Sequence, residues 1–292
     1  MSDIGSEEVV AVCVNGIGNV LRHFCAARLL AVHFQRPFRV VIGSDRLSTA
    51  TSNALCELLS PFGSTVITSR EAGEKLASTL VNELEIYDHV GIYGTNSHPL
   101  TEAYFKAVLP PGPLPYLSIY AAQPRSYGDA DIVRYKTQTY AQLPWPDALQ
   151  QEVGAIAHRL ELSERVGVHI RLTDNLTDAL KTAHHLNTPL EVFLEFLAYL
   201  ALHEDARFFV CTDNPQVVPL LQEMEFDVVT PPLVPPPLSQ ELLEMHLLSQ
   251  TRYLVGSYSS TFSYEAAFLA GGKRLWLWEK EAWQLYDFCP CS

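Results

Sequence analysis

The chain lacks any uncharged apolar run of about 18 residues, so no membrane-spanning helix is predicted. Positive charge is also scarce, because 20 Lys and Arg residues stand against 33 Asp and Glu, for a formal net charge of -13. Most of such a surface would repel a nucleic acid, which excludes nucleic acids as expected partners. Any polyanion that binds must therefore be small and held locally.

The cysteines form no CxxC pair and no cluster with histidine at zinc spacing, so no structural zinc is predicted. They are dispersed, which is typical of reduced thiols, and comprise Cys13, Cys25, Cys56, Cys211, Cys289 and Cys291. The first residues, MSDIGSEEVV, are acidic and polar and show no signal-peptide pattern. We therefore expect a cytoplasmic protein.

With 292 residues, 48% of them hydrophobic, the chain is about twice the length of a typical domain. β-branched runs alternate with segments of helical periodicity in both halves, which predicts parallel sheets with helical crossovers. Between residues 109 and 145 frequent Pro and Gly interrupt the pattern. We place the domain link there, and predict Rossmann-like α/β/α domains over residues 1–145 and 146–292 that face an interdomain cleft, with residues 279–288 forming a final helix that packs at the junction.

One predicted strand, Val166-Gly-Val-His-Ile-Arg-Leu-Thr-Asp174, ends by presenting His169, Arg171 and Asp174. The loops that follow the strands of an open α/β sheet are where such folds bind ligands. The planar guanidinium of Arg171 can grip a phosphate through two parallel hydrogen bonds. This triplet therefore indicates a phosphorylated ligand, although a strand histidine and a capping aspartate would also suit a purely structural role.

The first predicted strand leads into Asn15-Gly-Ile-Gly-Asn19 and then a helix. Gly16 and Gly18 would let the backbone N–H groups approach a phosphate at the helix start, and Asn19 would lie beside them. The full dinucleotide fingerprint is absent, because Leu21 occupies the third glycine position. Side-chain donors on the first helical turn, Arg22 and His23, favour a binding role over a simple turn.

A second loop of this kind, Gly256-Ser-Tyr-Ser-Ser-Thr261, precedes a predicted helix. Its Ser259, Ser260 and Thr261 could bind a diphosphate through hydroxyls and N–H groups, or could simply cap the helix. After another strand, Asp213 could bind the ligand or cap the helix that Pro215 begins. Two further candidates, Glu244 and His246, lie two apart on one helix and so do not share a face.

Asp129-Ala-Asp131 offers a competing hypothesis, because metal-dependent sugar transferases hold a divalent ion through paired carboxylates at this spacing. In those enzymes the pair follows a strand, whereas here it lies in the Pro- and Gly-rich link. The sequence therefore favours a site without metal.

Taken with these residues, the second half resembles the fucosyltransferase superfamily, which includes α1,6-, α1,2- and protein O-fucosyltransferases. The matching motifs occur in order at His169-Ile-Arg-Leu-Thr-Asp174, Val210-Cys-Thr-Asp-Asn-Pro215, Leu243-Glu-Met-His-Leu-Leu-Ser249 and Leu254-Val-Gly-Ser-Tyr-Ser-Ser-Thr-Phe262. The first half is similar to the family through Asn15-Gly-Ile-Gly-Asn-Val-Leu-Arg-His23.

The resemblance implies a GT-B glycosyltransferase that moves L-fucose from GDP-fucose to a glycan hydroxyl, with inversion and with neither metal nor cofactor. By this resemblance Arg171, supported by His169, would neutralise the β-phosphate of the leaving group. Glu244 would accept hydrogen bonds from guanine. Ser260 and Thr261 would contact the diphosphate, and Gly18, Asn19 and Arg22 would approach the donor from the other domain.

The chain departs from the α1,6 pattern at three positions. Leu172 stands where a second arginine is expected, and Glu244 replaces an aspartate. No glutamate occupies the place of the α1,6 catalytic base, so we take Asp178 as the hypothetical base, with His184 and His185 further along the chain. Two alternatives follow: the same scaffold with another GDP- or UDP-linked sugar, and a non-catalytic module that binds a nucleotide sugar or a glycan.

Overall fold

The computed structural model describes residues 8–13, 15–83, 117–118, 130–172, 188–257, 260–279 and 281–288. The chain divides into two compact units. Unit 1 consists of Met1–Trp145 and the short segment Pro236–Ser239, and unit 2 consists of Pro146–Pro235 and Gln240–Ser292. Each unit is built around one sheet, so the α/β fold class predicted from the sequence is confirmed.

Among its described residues, unit 1 contains a sheet of four parallel strands in the order β3-β2-β1-β4. Its elements are β1 (Val9–Cys13), α1 (Ile17–Phe34), β2 (Phe38–Ile42), α2 (Thr49–Leu59), β3 (Ser64–Ile67), α3 (Arg70–Glu83), β4 (Leu117–Ser118) and α4 (Ala130–Ala141). Every residue of β1 is buried, as expected for a central parallel strand covered on both faces.

Helix α4 corrects the expectation that residues 109–145 lack regular structure. Residues 130–141 contain neither Pro nor Gly, and the helix-breaking residues flank them at Gly128 and Pro144. Asp131 lies in this helix. Asp129 lies outside the described residues.

Unit 2 contains a six-stranded sheet in the order β10-β9-β8-β5-β6-β7, parallel except for the edge strand β10. Its strands are β5 (Arg165–Ile170), β6 (Arg207–Thr212), β7 (Val228–Val229), β8 (Leu254–Gly256), β9 (Arg274–Glu279) and β10 (Ala282–Asp287). Its helices are α5 (Asp147–Arg159), α6 (Leu190–Glu204), α7 (Val217–Glu223), α8 (Gln240–Ser249) and α9 (Thr261–Leu269), and a 3₁₀ turn spans Leu162–Glu164.

Alternate residues of β5 face opposite sides of this sheet, and the two sides differ in character. One side contributes Val166, Val168 and Ile170 to a hydrophobic core shared with α6 and α7. The other side carries Gly167, where an added Cβ would lie 2.6 Å from Leu254 Cδ2 and 3.2 Å from Leu248 Cδ2. Glycine thus lets α8 pack closely on the face that also bears His169.

The helix predicted for residues 279–288 is wrong, because Ala282–Asp287 forms strand β10, antiparallel to β9. The apolar positions Trp283 and Tyr286 are three apart, which imitates helical spacing. Aromatic partners favour the strand: Trp283 pairs with Trp278 across the ladder and stacks on Phe196 of α6 at 4.3 Å between ring centroids.

Among the described residues, no helix combines the length and apolar character that a membrane crossing requires.

Candidate functional site

The strand order places the switch point of the unit 2 sheet between β5 and β8, because the chain runs outward in opposite directions from these two neighbours. Open α/β sheets bind ligands beside such a point, at the carboxyl ends of the strands. Residues 169–172 lie at the end of β5, and residues 256–257 lie at the end of β8. The two sequence motifs predicted to bind phosphate therefore meet here.

Ser257 connects these two strand ends. Its backbone N–H donates to His169 O at 3.1 Å, and its hydroxyl lies 3.3 Å from the same oxygen. The hydroxyl oxygen also accepts the backbone N–H of Arg171 at 2.9 Å. Ser257 was not singled out from the sequence, because only the strand register shows that it lies opposite residues 86 and 88 positions earlier.

His169 is held by helix α9, which follows the same loop. Its Nδ1 lies 2.8 Å from Ser263 Oγ, and its ring stacks on Phe262 with 4.8 Å between centroids. Burial and, to a smaller extent, the positive charge of Arg171 lower the pKa of His169 to about 3, against an opposing effect of Asp213. His169 is therefore neutral at physiological pH, and the half-buried Arg171 supplies the positive charge.

Gly256 is what allows α9 to approach the sheet. A Cβ at this position would lie 2.5 Å from Ser263 Oγ and 2.6 Å from Ser263 Cβ. Real side chains do not come so close, so any larger residue would displace the serine that contacts His169.

The first turn of α9 carries two buried hydroxyl residues, Ser260 and Thr261. Ser260 is 2% exposed, and its hydroxyl makes no hydrogen bond among the described residues although it occupies the N-cap position. Its backbone N–H donates to Ser257 O at 3.1 Å. A buried hydroxyl beside the free N–H groups of a helix start is the arrangement that binds anions.

At the end of β6, Thr212 and Asn214 have the capping role that the sequence offered for this turn, and Asp213 does not. Asn214 Oδ1 accepts the N–H of Gln216, and Thr212 Oγ1 accepts the N–H of Asn214, so these two side chains organise the turn before α7. Asp213 instead accepts the backbone N–H of Leu172 at 2.9 Å and remains exposed. Asp213 therefore ties the end of β6 to the end of β5.

Glu244 lies near the same edge of the sheet. Burial raises the pKa of the Cys211 thiol, and the Glu244 carboxylate is close enough to raise that pKa further. Cys211 pairs with His169 in the β5–β6 ladder. Burial raises the pKa of Glu244 itself, although the hydrogen bond from Gln240 opposes this shift. That bond, from Gln240 Nε2 to Glu244 Oε1, measures 2.8 Å.

The other candidate on α8, His246, is also half-buried, and burial lowers its pKa to about 4. Its position two residues after Glu244 directs it to a different side of the helix. Its role in binding stays a prediction.

In unit 1 the glycine loop lies at the carboxyl end of β1, next to the switch point between β1 and β4. Gly16 has extended backbone angles, and an added Cβ would meet nothing within 4 Å, so the fold itself does not require glycine there. Gly18 is buried in the first turn of α1, and Asn19 Oδ1 accepts a short hydrogen bond from the buried guanidinium of Arg22.

His23 is buried in unit 1, with Nδ1 3.4 Å from Cys13 Sγ. Burial lowers its pKa to about 3, and Arg22 adds to the effect. His23 is thus a neutral interior residue, and direct contact with a ligand stays a prediction.

Several residues predicted for the site lie outside the described residues, namely Asp174, Asp178, His184, His185 and Ser259. Within the described ranges no group of three or more His, Cys, Asp or Glu side chains could hold a metal ion.

Two α/β units, each with a wholly or largely parallel sheet and a loop-to-helix junction at its switch point, make up the fold of GT-B glycosyltransferases. Among the solved structures that the chain resembles are fucosyltransferases of this fold. The fucosyltransferase NodZ from Bradyrhizobium is 15% identical, with a TM-score of 0.57 over 97% of this chain and 99% of NodZ.

NodZ α-1,6-fucosyltransferase co-crystallized with GDP superposes with a TM-score of 0.60 at 14% identity, again over 97% of this chain and 99% of that one. The apo form of POFUT1 gives a TM-score of 0.51 at 11% identity, over 93% of this chain and 97% of POFUT1. No family model matches the chain, and no curated protein matches it by sequence. The fold expected from the fucosyltransferase resemblance is confirmed.

Proposed function

We propose that the protein is an inverting, metal-independent glycosyltransferase that moves L-fucose from GDP-fucose to a glycan hydroxyl. The observation that carries this proposal is the junction of β5, β8 and α9. There Arg171 follows β5 with its backbone N–H held by Ser257, and the buried hydroxyl of Ser260 lies at the start of α9. These groups suit the diphosphate of a nucleotide sugar.

In the proposed reaction the acceptor hydroxyl attacks C1 of fucose from the side opposite GDP. The bond between C1 and the β-phosphate oxygen breaks, and its electron pair passes to the leaving diphosphate. Asp178 takes the acceptor proton. Arg171 stabilises the negative charge that grows on the β-phosphate. His169 is neutral, so the positive charge that meets the phosphate there comes from Arg171 and not from His169.

The comparisons support fucose and guanine as the donor groups. NodZ has been solved soaked with GDP-fucose and co-crystallized with GDP. Glu244 is a half-buried carboxylate near the same sheet edge as His169, which suits the N1–H and amino group of guanine. By the fucosyltransferase resemblance Glu244 lies at the position that binds guanine, and for this reason we propose GDP rather than UDP.

The decisive test is Arg171→Ala, assayed with GDP-fucose and a panel of glycan acceptors. We expect turnover to fall by about a hundredfold to a thousandfold, the usual cost of losing one donor to a transition-state charge. Arg159→Ala, on the exposed end of α5, is the matched control and should be fully active. Thermal unfolding should confirm that both variants are folded. Turnover within a few-fold of wild type in a folded Arg171→Ala protein would overturn the proposed role.

The donor and metal requirements need separate measurements. A thermal-shift panel of GDP, UDP and their sugars should show the largest stabilisation by GDP-fucose or GDP. EDTA should leave transfer unchanged, whereas a metal site at Asp129 and Asp131 predicts its loss. Stabilisation by UDP alone would favour the same scaffold with another donor.

A non-catalytic nucleotide-sugar or glycan-binding module is the second candidate, and Leu172 favours it. This residue replaces the expected second arginine and packs against the hydrophobic core of unit 2. The diphosphate therefore has less positive charge around it. Saturable GDP-fucose binding with neither transfer nor donor hydrolysis would identify a binding module.

A further inference from the structure

The side-chain amide of Gln240 makes three hydrogen bonds, two as a donor and one as an acceptor. Its Nε2 donates to Glu244 Oε1 at 2.8 Å and to Pro232 O at 3.2 Å, and its Oε1 accepts the N–H of Val234 at 3.0 Å. A backbone N–H can only donate and a carbonyl can only accept, so this amide has a single possible orientation.

That orientation determines which side of Glu244 remains available. Oε1 of Glu244 is taken by Gln240, and Oε2 makes no hydrogen bond within the described ranges. Glutamate has three rotatable side-chain bonds, and holding one oxygen removes most of this freedom before a ligand arrives. Gln240 and Glu244 are four apart on α8, the spacing at which helical side chains meet.

Gln240 also lies where the chain passes from unit 1 back to unit 2. The four residues before it, Pro236–Ser239, belong to unit 1, and unit 2 resumes at Gln240. Ser239 Oγ lies 2.7 Å from Thr51 Oγ1 within unit 1, which anchors this end of the proline-rich segment. Gln240 anchors its other end through Pro232 and Val234.

We propose that Gln240 is a positioning residue that aims the Glu244 carboxylate at the donor base. It contacts no ligand itself, yet the preference for guanine depends on it. This inference rests on the proposed function, because it assumes that Glu244 reads the base. The expected signature is a loss of base discrimination with little change in diphosphate binding.

Inosine diphosphate provides the probe, because it is GDP without the 2-amino group that donates to the carboxylate. We expect the wild-type protein to bind GDP about tenfold or more tighter than IDP, as for a hydrogen bond to a charged group. Glu244→Gln should reduce this ratio to near 1. Gln240→Met, which keeps the length but not the hydrogen bonds, should reduce it to about two or less, while the affinity for pyrophosphate stays within about twofold.

Gln240→Glu separates the contacts. It keeps an acceptor for Val234 N–H but cannot donate to Glu244, so it should lose the GDP/IDP preference as Gln240→Met does. Gln151→Met, on the exposed side of α5, is the control for a glutamine replaced elsewhere. Hydrogen exchange at Val234 in the wild-type protein needs no variant, and GDP should slow this exchange more than IDP does.

Three results are distinguishable. A wild-type GDP/IDP ratio that survives in both folded Gln240 variants overturns the inference and leaves the proposed function standing. Equal binding of GDP and IDP by the wild-type protein overturns the assignment of Glu244 to the guanine amino group and this inference with it, whereas binding of neither overturns the GDP-fucose proposal. If neither Gln240 variant folds, equal exchange at Val234 with GDP and with IDP overturns the inference.

Discussion

The hydroxyl of Ser260 has an unusual environment for a buried polar group. It makes no hydrogen bond in the described part of the chain, and leaving such a group unsatisfied costs about 1–3 kcal/mol. Native proteins retain few groups of this kind, and a binding role is one reason to retain them. In the proposed complex a phosphate oxygen would accept a hydrogen bond from this hydroxyl.

Ser260→Ala should therefore separate stability from binding. Removing an unsatisfied hydroxyl should leave the free energy of unfolding unchanged or slightly higher, while the Kd for GDP rises about fivefold to tenfold, equivalent to one hydrogen bond of about 1 kcal/mol. The Kd for guanosine, which has no phosphate, should not change. Isothermal titration would measure both constants.

Ser163→Ala, at an exposed position of the 3₁₀ turn, is the control and should change neither constant. A Ser260→Ala protein that binds GDP as tightly as wild type would exclude the hydroxyl from the phosphate site.

The role of a single residue was predictable from the sequence where neighbouring residues along the chain indicate that role. His169 and Arg171 follow a buried strand directly, and that position alone marked them. Ser263 could not be found in this way, because its contact with His169 joins residues 94 positions apart and depends on the sheet register. Gln240 was within reach, because its spacing of four from Glu244 on a helix is a sequence signal.

At the scale of elements, substitution of Gly256 would measure how closely α9 packs on β8, with Gly154 of α5 as the control. Gly256→Ala should destabilise the protein by about 1–3 kcal/mol, because its Cβ would overlap Ser263 and force α9 away from β8. Nucleotide binding should weaken as well, because the contact between Ser263 and His169 would be lost. Urea unfolding and GDP titration would measure the two effects.

Gly154→Ala is the matched control, because it makes the same change on the exposed face of α5, where a Cβ meets nothing within 4 Å. It should stabilise the protein by up to about 1 kcal/mol through helix propensity. Equal stability effects of the two substitutions would contradict the close packing described for α9.

Most elements were predictable because their hydrophobic periods are clear. The alternation of strands and helices predicted for both halves is observed among the described residues. Strand β10 was not predictable, since its pairing depends on aromatic partners in β9 and α6. Helix α4 was missed because prolines outside the helix dominated the pattern.

At the scale of the whole molecule, buried histidines make stability depend on pH. Burial holds the pKa values of His23 and His169 to about 3 and that of His246 to about 4, below the usual 6.5. Between about pH 6.5 and 4 the unfolded chain therefore binds protons that the folded chain does not. Stability should fall as the pH falls through this window, by about 1.4 kcal/mol per pH unit for each histidine.

Glu244 acts in the opposite direction, because its raised pKa makes the folded state hold a proton that the unfolded state has released. Urea unfolding at pH 7, 6 and 5 would measure the net slope. His23→Gln should reduce the slope by about one proton, whatever its effect on stability at pH 7. Equal stability at pH 7 and pH 5 in the wild-type protein would contradict the buried neutral state of these histidines.

The assignment of Pro236–Ser239 to unit 1 has a consequence for how such a protein can change over time. The chain passes between the units after Trp145, after Pro235 and after Ser239, so a single break in the gene does not separate two complete halves. A recombination that exchanged only residues 1–145 would leave Ser239 facing a foreign partner in place of the buried Thr51. Shuffling of whole domains is therefore hindered, and the two units are expected to be inherited together.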